Sequence, residues 1–281
     1  MAFPDGFNLD EFVQRVLAED LGKGGDVTSN VTIAEDARFT AQMNARQRIV
    51  VAGLEIAGAF FRKLHSGVHV EMFANDGDRV EHGATLMHIS GNARAMLAAE
   101  RSALNTLQHL SGIATMTRQY ADEIAGTGAV LLDTRKTVPG LRVLEKYASR
   151  MGGAQNHRMR LDDGVLIKDN HVAVCGGVAE AVGRAKAANT CLQVQVEVDR
   201  IDQIEPALAA GADRLLLDNM DPSQLREAVQ LVSGRVPLEA SGGVTLETIR
   251  FLAETGVDFI SVGRITQSAP AVDIGLDYSL N

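Results

Sequence analysis

The second half of the chain repeats one pattern that leaves few folds open. Apolar, β-rich runs recur at 129–133, 164–168, 192–198, 214–218, 236–240 and 259–263. Stretches with helical periodicity separate them, among them 201–210, 222–232 and 246–254. The boundaries carry matching punctuation: Asp221-Pro222 reads as a cap followed by an N1 proline, Thr245 opens the next helix, and Gly211, Gly234 and Gly256 follow helix ends. Strands that are apolar throughout and alternate with helices are buried on both faces. That predicts a parallel sheet covered by helices.

Each predicted strand ends in a polar or glycine tip: Asp133 to Lys136, Lys168 to His171, Glu197, Asp218-Asn219, Glu239 to Gly243, and Gly263. In a closed or nearly closed (β/α) barrel such tips meet on one face, where barrel active sites lie. Packing alone gives no reason for six polar tips, so a shared site is the better reading.

The first half lacks this alternation. Helices are predicted at 9–21 and 54–65, and strands at 39–44, 48–51, 68–73 and 85–89, which suggests an α+β layer domain. Residues 93–125 read as one long helix joining the two parts, with Leu104, Leu107, Leu110, Ala114, Ala121 and Ile124 on one stripe and Gly112 as a candidate bend. The 281 residues therefore predict two unequal domains, or one large one.

Composition narrows the function. Hydrophobic residues make up 46% and charged residues 22%, enough apolar material to exclude disorder. No apolar run approaches the ~20 residues of a membrane span, and the first ten residues carry two acids and no base, unlike a secretory or transit peptide. Cys175 and Cys191 match no zinc spacing and cannot staple the chain, so a reducing cytoplasm is expected. A net charge of −9 argues against a nucleic-acid partner. Against that background, residues 135–168 hold eight bases (Arg135, Lys136, Arg142, Lys146, Arg150, Arg158, Arg160, Lys168) and three acids. The island is either a solvated helix face or an anion site.

The tips discriminate between these. Thr134, Arg135 and Lys136 set two adjacent cations among hydroxyls, suited to carboxylate or phosphate, or else form a capping turn. His157, Arg158 and Lys168 flank the next strand and would bring enough charge for a ligand with two carboxylates. Glu197 and Asp218 close consecutive strands, either as ion-pair partners of these bases or as a grip for Mg²⁺ or sugar hydroxyls. Mg²⁺ commonly takes one or two carboxylates plus substrate oxygens. Ser241, Gly242 and Gly243, with Gly263 and Arg264 one strand later, would form a phosphate cup. The inventory suits an enzyme acting on a phosphosugar.

The runs Glu100-Arg101-Ser102-Ala103-Leu104-Asn105, Asp133-Thr134-Arg135-Lys136-Thr137-Val138-Pro139-Gly140, Asn156-His157-Arg158 and Leu166-Ile167-Lys168-Asp169-Asn170-His171 go further. With Glu197-Val198-Asp199, Leu217-Asp218-Asn219, Glu239-Ala240-Ser241-Gly242-Gly243 and Ser261-Val262-Gly263, the chain resembles the quinolinate phosphoribosyltransferase family, in order and over nearly its whole length. The resemblance implies an α+β sandwich over 1–110, completed by the tail 270–281, and an incomplete, seven-stranded (β/α) barrel of the type II phosphoribosyltransferase kind over 111–269. It implies transfer of phosphoribosyl from phosphoribosyl diphosphate (PRPP) to quinolinate with Mg²⁺, in de novo NAD synthesis, by a homodimer.

By the same resemblance, Arg101, Arg135, His157, Arg158 and Lys168 would bind quinolinate or nearby phosphates, with Arg101 lent by the partner subunit. Thr134 and Lys136 belong to the same loop. Lys136, Lys168, Glu197 and Asp218 are the candidate catalytic groups, the last two also for Mg²⁺, directly or through PRPP and water. Ser241 to Gly243, Gly263 and Arg264 would hold phosphate, although Arg264 stands where the family has a small or apolar residue.

Three rivals are weighed. A paralogous transferase for another heteroaromatic acid would differ in the dicarboxylate grip. A Schiff-base aldolase would use Lys168 as nucleophile. A biotinyl- or lipoyl-like carrier, suggested by the turn at 75–80, would need a modifiable lysine that residues 66–93 lack.

Overall fold

The computed structural model describes residues 6–278. In chain order the first half forms α1 (Leu9–Leu21), α2 (Val27–Thr32), β1 (Arg38–Ala45), β2 (Ile49–Val50), α3 (Leu54–Leu64), β3 (His69–Met72), β4 (Arg79–Val80), β5 (Thr85–Asn92) and α4 (Ala93–Glu123). Next come β6 (Val130–Leu132), α5 (Arg142–Met151), β7 (Val165–Ile167), α6 (Asp169–Cys175), α7 (Val178–Ala187) and β8 (Val194–Val198). The chain continues through α8 (Ile204–Ala209), β9 (Arg214–Asp218), α9 (Pro222–Val232), β10 (Leu238–Ser241), α10 (Leu246–Ala253), β11 (Phe259–Ser261), α11 (Arg264–Gln267) and β12 (Ile274–Tyr278).

Two compact units result. One contains the residues up to Met116, Val143–Gly152 and the stretch from Ala269 on; the other contains Thr117–Arg142 and Gly153–Ser268. The first is built on an antiparallel sheet in the order β12-β1-β5-β3. Its period-two pattern is visible along β1, where Ala41, Met43 and Ala45 are buried and Gln42 and Asn44 are half-exposed. Against this, α3 buries Leu54, Ile56, Phe60 and Phe61. Asp76 accepts the orphan N–H groups of Gly53 and Leu54 at 2.9 and 3.0 Å, satisfying the start of α3. The Tyr147 hydroxyl also donates to Asp76, at 2.6 Å, and so ties Val143–Gly152 into this unit.

The expected long helix is present as α4, ending before Ile124, so Ile124 falls outside its stripe. Gly112 lies within one uninterrupted helix and serves a different purpose from a bend. A Cβ placed there would lie 2.2 Å from the Pro270 carbonyl oxygen and 3.1 Å from Ala271 Cα. The segment leading into β12 thus runs directly over α4.

The second unit contains a parallel sheet in the order β6-β11-β10-β9-β8-β7. Of the seven strands implied above, six form ladders among the described residues. Beyond β6, a single parallel bridge joins Leu132 to Gln155. Helix α9 starts and stops where its signals stand: Asp221 accepts from Ser223 N and Gln224 N, with Pro222 at the first helical position. The predicted helix at 201–210 instead opens as a 3₁₀ turn over Ile201–Gln203 before α8. Helices α5, α6 and α7 lie outside the helical stretches that the sequence pattern predicts.

Gly112→Ala is therefore expected to destabilise the protein by about 1–3 kcal/mol through overpacking against backbone. Gly183→Ala, in α7 with open space around it, should stabilise by roughly 0.5–1 kcal/mol. Urea unfolding of the two variants checks the contrast, and equal midpoints would remove the close-approach account.

Candidate active site

The C-terminal ends of β6 to β11 surround a cavity of about 640 Å³ in the second unit, a size suited to small ligands. Thr134, Arg135 and Lys136 come from the tip of β6, His157 and Arg158 from the loop before β7, and Lys168 from the end of β7. Glu197 and Asp218 close β8 and β9. Ser241, Gly242 and Gly243 follow β10, and Gly263 and Arg264 follow β11. Arg101 is not in this wall; it is exposed on α4 in the first unit.

The basic island divides. Arg135, Lys136, Arg158 and Lys168 line the cavity. Arg142 braces it from behind, donating to Thr137 Oγ1 at 3.1 Å and to the Met159 carbonyl at 3.2 Å. Arg160 is exposed and paired with Asp162. Lys146 is fully buried on α5 in the other unit, and Arg150 sits near the Tyr147 ring there. Half of the island therefore carries no cavity charge.

A buried carboxylate sets the loop carrying His157. Asp133 is 0% exposed and accepts from His157 N at 2.9 Å and from Asn156 Nδ2 at 2.5 Å. This buttress was legible only as one more tip. Lys136 is placed by its N–H donating to Thr134 Oγ1 at 3.0 Å and by Thr266 Oγ1 donating to its carbonyl at 2.7 Å. Its aliphatic stem crosses Gly263, where a Cβ would lie 2.6 Å from Lys136 Cδ. Gly242 is constrained twice: its φ is +95°, and a Cβ would meet Asn219 Oδ1 at 2.2 Å.

The electrostatics favour an anion. Arg135 Nε and Arg158 Nε are both buried without a hydrogen-bond partner, a costly state for cationic donors. Burial, followed by the neighbouring Arg135 cation, lowers the Arg158 pKa. On the opposite side, Lys168 Nζ lies 2.5 Å from Glu197 Oε2. Burial, then the Glu197 charge, raises the Asp218 pKa, outweighing Lys168, the Asn219 hydrogen bond and Lys136.

Among the described residues no cluster of three or more His, Cys, Asp or Glu is placed to hold a metal. Glu197 and Asp218 are two hard oxygen donors whose charges repel, so they suit Mg²⁺ completed by substrate oxygens. The wall also includes Asn219, Glu239, Thr245 and Gln267, none of them among the expected site residues. Asn219 and Glu239 carry a sequence signal as parts of the tips and Thr245 as the residue that opens α10, whereas Gln267 carries none.

The chain matches the model of the quinolinate phosphoribosyl transferase C-terminal domain over residues 113–277 and that of its N-terminal domain over 26–111. It belongs to the quinolinate phosphoribosyltransferase family. It is 43% identical to a nicotinate-nucleotide pyrophosphorylase [carboxylating] of Mycobacterium leprae, covering 94% of this chain and 95% of that one. A probable nicotinate-nucleotide pyrophosphorylase [carboxylating] of Bacillus subtilis is 40% identical over 97% of this chain and 94% of its own. The solved nicotinate-nucleotide pyrophosphorylase of Francisella tularensis superposes with a TM-score of 0.93 at 38% identity, covering 99% of this chain and all of that one. The family's two-part α/β architecture is thus that of this chain: a sheet domain first, then a parallel-strand α/β unit. No helix among the described residues is long and apolar enough to cross a membrane.

The raised Asp218 pKa has a thermodynamic consequence. A carboxyl whose folded pKa lies above its unfolded value favours folding while protonated and loses that contribution as pH rises through both values. Asp218→Asn should therefore melt higher than the wild type near pH 7. The difference should shrink as pH falls through the raised folded value toward 3.8. Thermal melts across that range check it; a pH-independent difference would mean that Asp218 carries no such strain.

Proposed function

We propose that this chain transfers phosphoribosyl from PRPP to quinolinate with loss of CO₂, giving nicotinate mononucleotide and diphosphate in NAD synthesis. The observation that carries this reading is the pair of buried, unpartnered guanidinium Nε atoms of Arg135 and Arg158 in the cavity wall. A ligand carboxylate supplies the acceptor they lack, and two carboxylates suit two such cations.

The chemistry follows from the arrangement. Departure of diphosphate from ribose C1 builds positive character at C1 and negative charge on the leaving group. Lys136, Lys168 and Arg264 offset that negative charge, and the glycines after β10 and β11 admit backbone N–H groups to the ribose phosphate. Glu197 and Asp218 face the ribose and would hold Mg²⁺, directly or through water, with PRPP. Bound there, Mg²⁺ supplies charge neutralisation for the diphosphate. Holding the pyridine nitrogen in line with C1 contributes through orientation. The resulting pyridinium stabilises the carbanion left when the adjacent carboxylate leaves as CO₂, and that carbanion takes a proton from water to give nicotinate mononucleotide, so the second step requires no dedicated base.

Arg101, exposed on α4, is assigned to the partner subunit's cavity in a homodimer, where it would grip a quinolinate carboxylate. A cytoplasmic site of action fits the two free cysteines.

Incubation with quinolinate, PRPP and MgCl₂ should yield nicotinate mononucleotide and CO₂, and excess EDTA should abolish the yield. Nicotinate should be a poor acceptor, because a missing carboxylate leaves a buried cation unpaired; equal turnover of the two acids would overturn the dicarboxylate assignment.

Arg101→Ala and Lys168→Ala should each be nearly inactive as homodimers. Re-formed mixed dimers should recover roughly a quarter of wild-type activity, since about half the dimers are mixed and each then has one intact site. Proven subunit exchange without recovery would place the action of Arg101 within its own chain.

A further inference from the structure

At the tip of β7, chemistry and local structure make opposite demands on one residue. Lys168 lines the cavity with its ammonium against Glu197, and it is also the N-cap of α6. A helix start is ordinarily closed by a side chain that accepts an amide N–H, such as Ser, Thr, Asp or Asn. An ammonium has donors and no acceptor, so a lysine cannot do this. The Lys168 backbone is extended, with φ −104° and ψ 168°, and its side chain makes no cap hydrogen bond.

The missing acceptor comes from the opposite direction. His171, in the first turn of α6, accepts the backbone N–H of Lys168 on its Nδ1 at 3.0 Å. Glu or Gln takes this place in the reciprocal arm of a capping box. His171 is exposed and forms no part of the cavity wall.

Little else holds α6. None of its residues is buried, and Val174 is 88% exposed. So short a helix is marginal without tertiary packing, which leaves its ends to decide where it lies. At the far end, Gly176 has φ +90° and donates to the Val172 carbonyl at 3.1 Å, and Gly177 donates to the same oxygen at 3.0 Å. At the start, Val172 N donates to the Lys168 carbonyl at 3.0 Å while the His171 ring takes the Lys168 N–H. The first turn thus grips Lys168 by both of its backbone groups.

We infer that His171 is a positioning residue that acts through Lys168. Its imidazole closes the strand-to-helix turn that a lysine cannot cap, and so fixes the direction in which the ammonium leaves the backbone toward Glu197. The kinetic consequence rests on the phosphoribosyl-transfer reading above; the hydrogen bond does not. A lysine that offsets charge on a departing diphosphate acts mainly in the transition state, so misplacing it lowers kcat more than it raises KM. Accepting on Nδ1 also puts the ring proton of His171 on Nε2.

His171→Ala should lower kcat about tenfold, equivalent to about 1.4 kcal/mol, while moving the quinolinate and PRPP KM values less than about threefold. His171→Gln restores an acceptor at this position of the capping box and should recover most of that loss. An unchanged kcat in the alanine variant, a loss confined to KM, or a glutamine variant as slow as alanine overturns the proposal.

Amide hydrogen exchange reads the bond itself. The Lys168 N–H should exchange about tenfold faster in His171→Ala than in the wild type and return toward the wild-type rate in His171→Gln; equal rates in all three overturn the cap. Should the alanine variant fail to fold, the ¹⁵N chemical shifts of histidine-labelled wild-type protein in mildly alkaline buffer decide. An Nε2–H signature for His171 supports the proposal, and an Nδ1–H signature overturns it. Exchange and spectrum need no substrate, so a protein that left quinolinate unconverted would overturn the functional reading and leave the cap to be judged by them.

Discussion

Parallel strands hydrogen-bonded side by side must all end on the same rim, and the cavity of this protein depends on that. The ladder aligns Glu197 with Leu216 and Asp218 with Ser241. Residues more than twenty positions apart in the chain thereby become neighbours around one opening. The strands themselves are short and mostly apolar, as in Leu215, Leu216 and Leu217, all buried, with Gln195, Arg214 and Glu239 as polar exceptions. Their bodies supply cohesion and leave the tips free to be polar. Chemistry and stability are thus divided along each strand.

The cavity wall holds charges that the protein itself leaves partly uncompensated. Two arginine Nε atoms are buried without partners, and two carboxylates repel across adjacent tips. Each feature is unfavourable taken alone, because a buried donor lacks an acceptor and like charges face each other. The supporting contacts counter the tendency to rearrange. Asp133 anchors the 156–157 loop, Arg142 ties two loops together, and Thr266 holds the Lys136 carbonyl. Pre-organisation of this kind transfers part of the ordering cost from binding to folding.

The alternation of apolar runs and helical stretches is written locally, and so is the position of α9, because Asp221 and Pro222 act within one turn. The polar tips are equally local, since each interrupts an apolar run at a fixed place. From these the parallel sheet, the common rim and the surplus of cations in residues 135–168 are legible in the chain alone. Local pattern could not say which cations belong. Lys146 and Arg158 read alike in one dimension, yet one is buried in the first unit and the other lines the cavity of the second. Nor could it distinguish Gly112 as a bend from Gly112 as a close approach, because the deciding atoms belong to Pro270 and Ala271. The tertiary structure alone decided the bonding of His157, whose partners Gln195 and Glu239 lie on β8 and β10. The physical reason is the same in each case: periodicity and capping are set by residues within a turn or two, whereas a side chain's partner is set by the strand that packs beside it, however far away that strand lies in the chain.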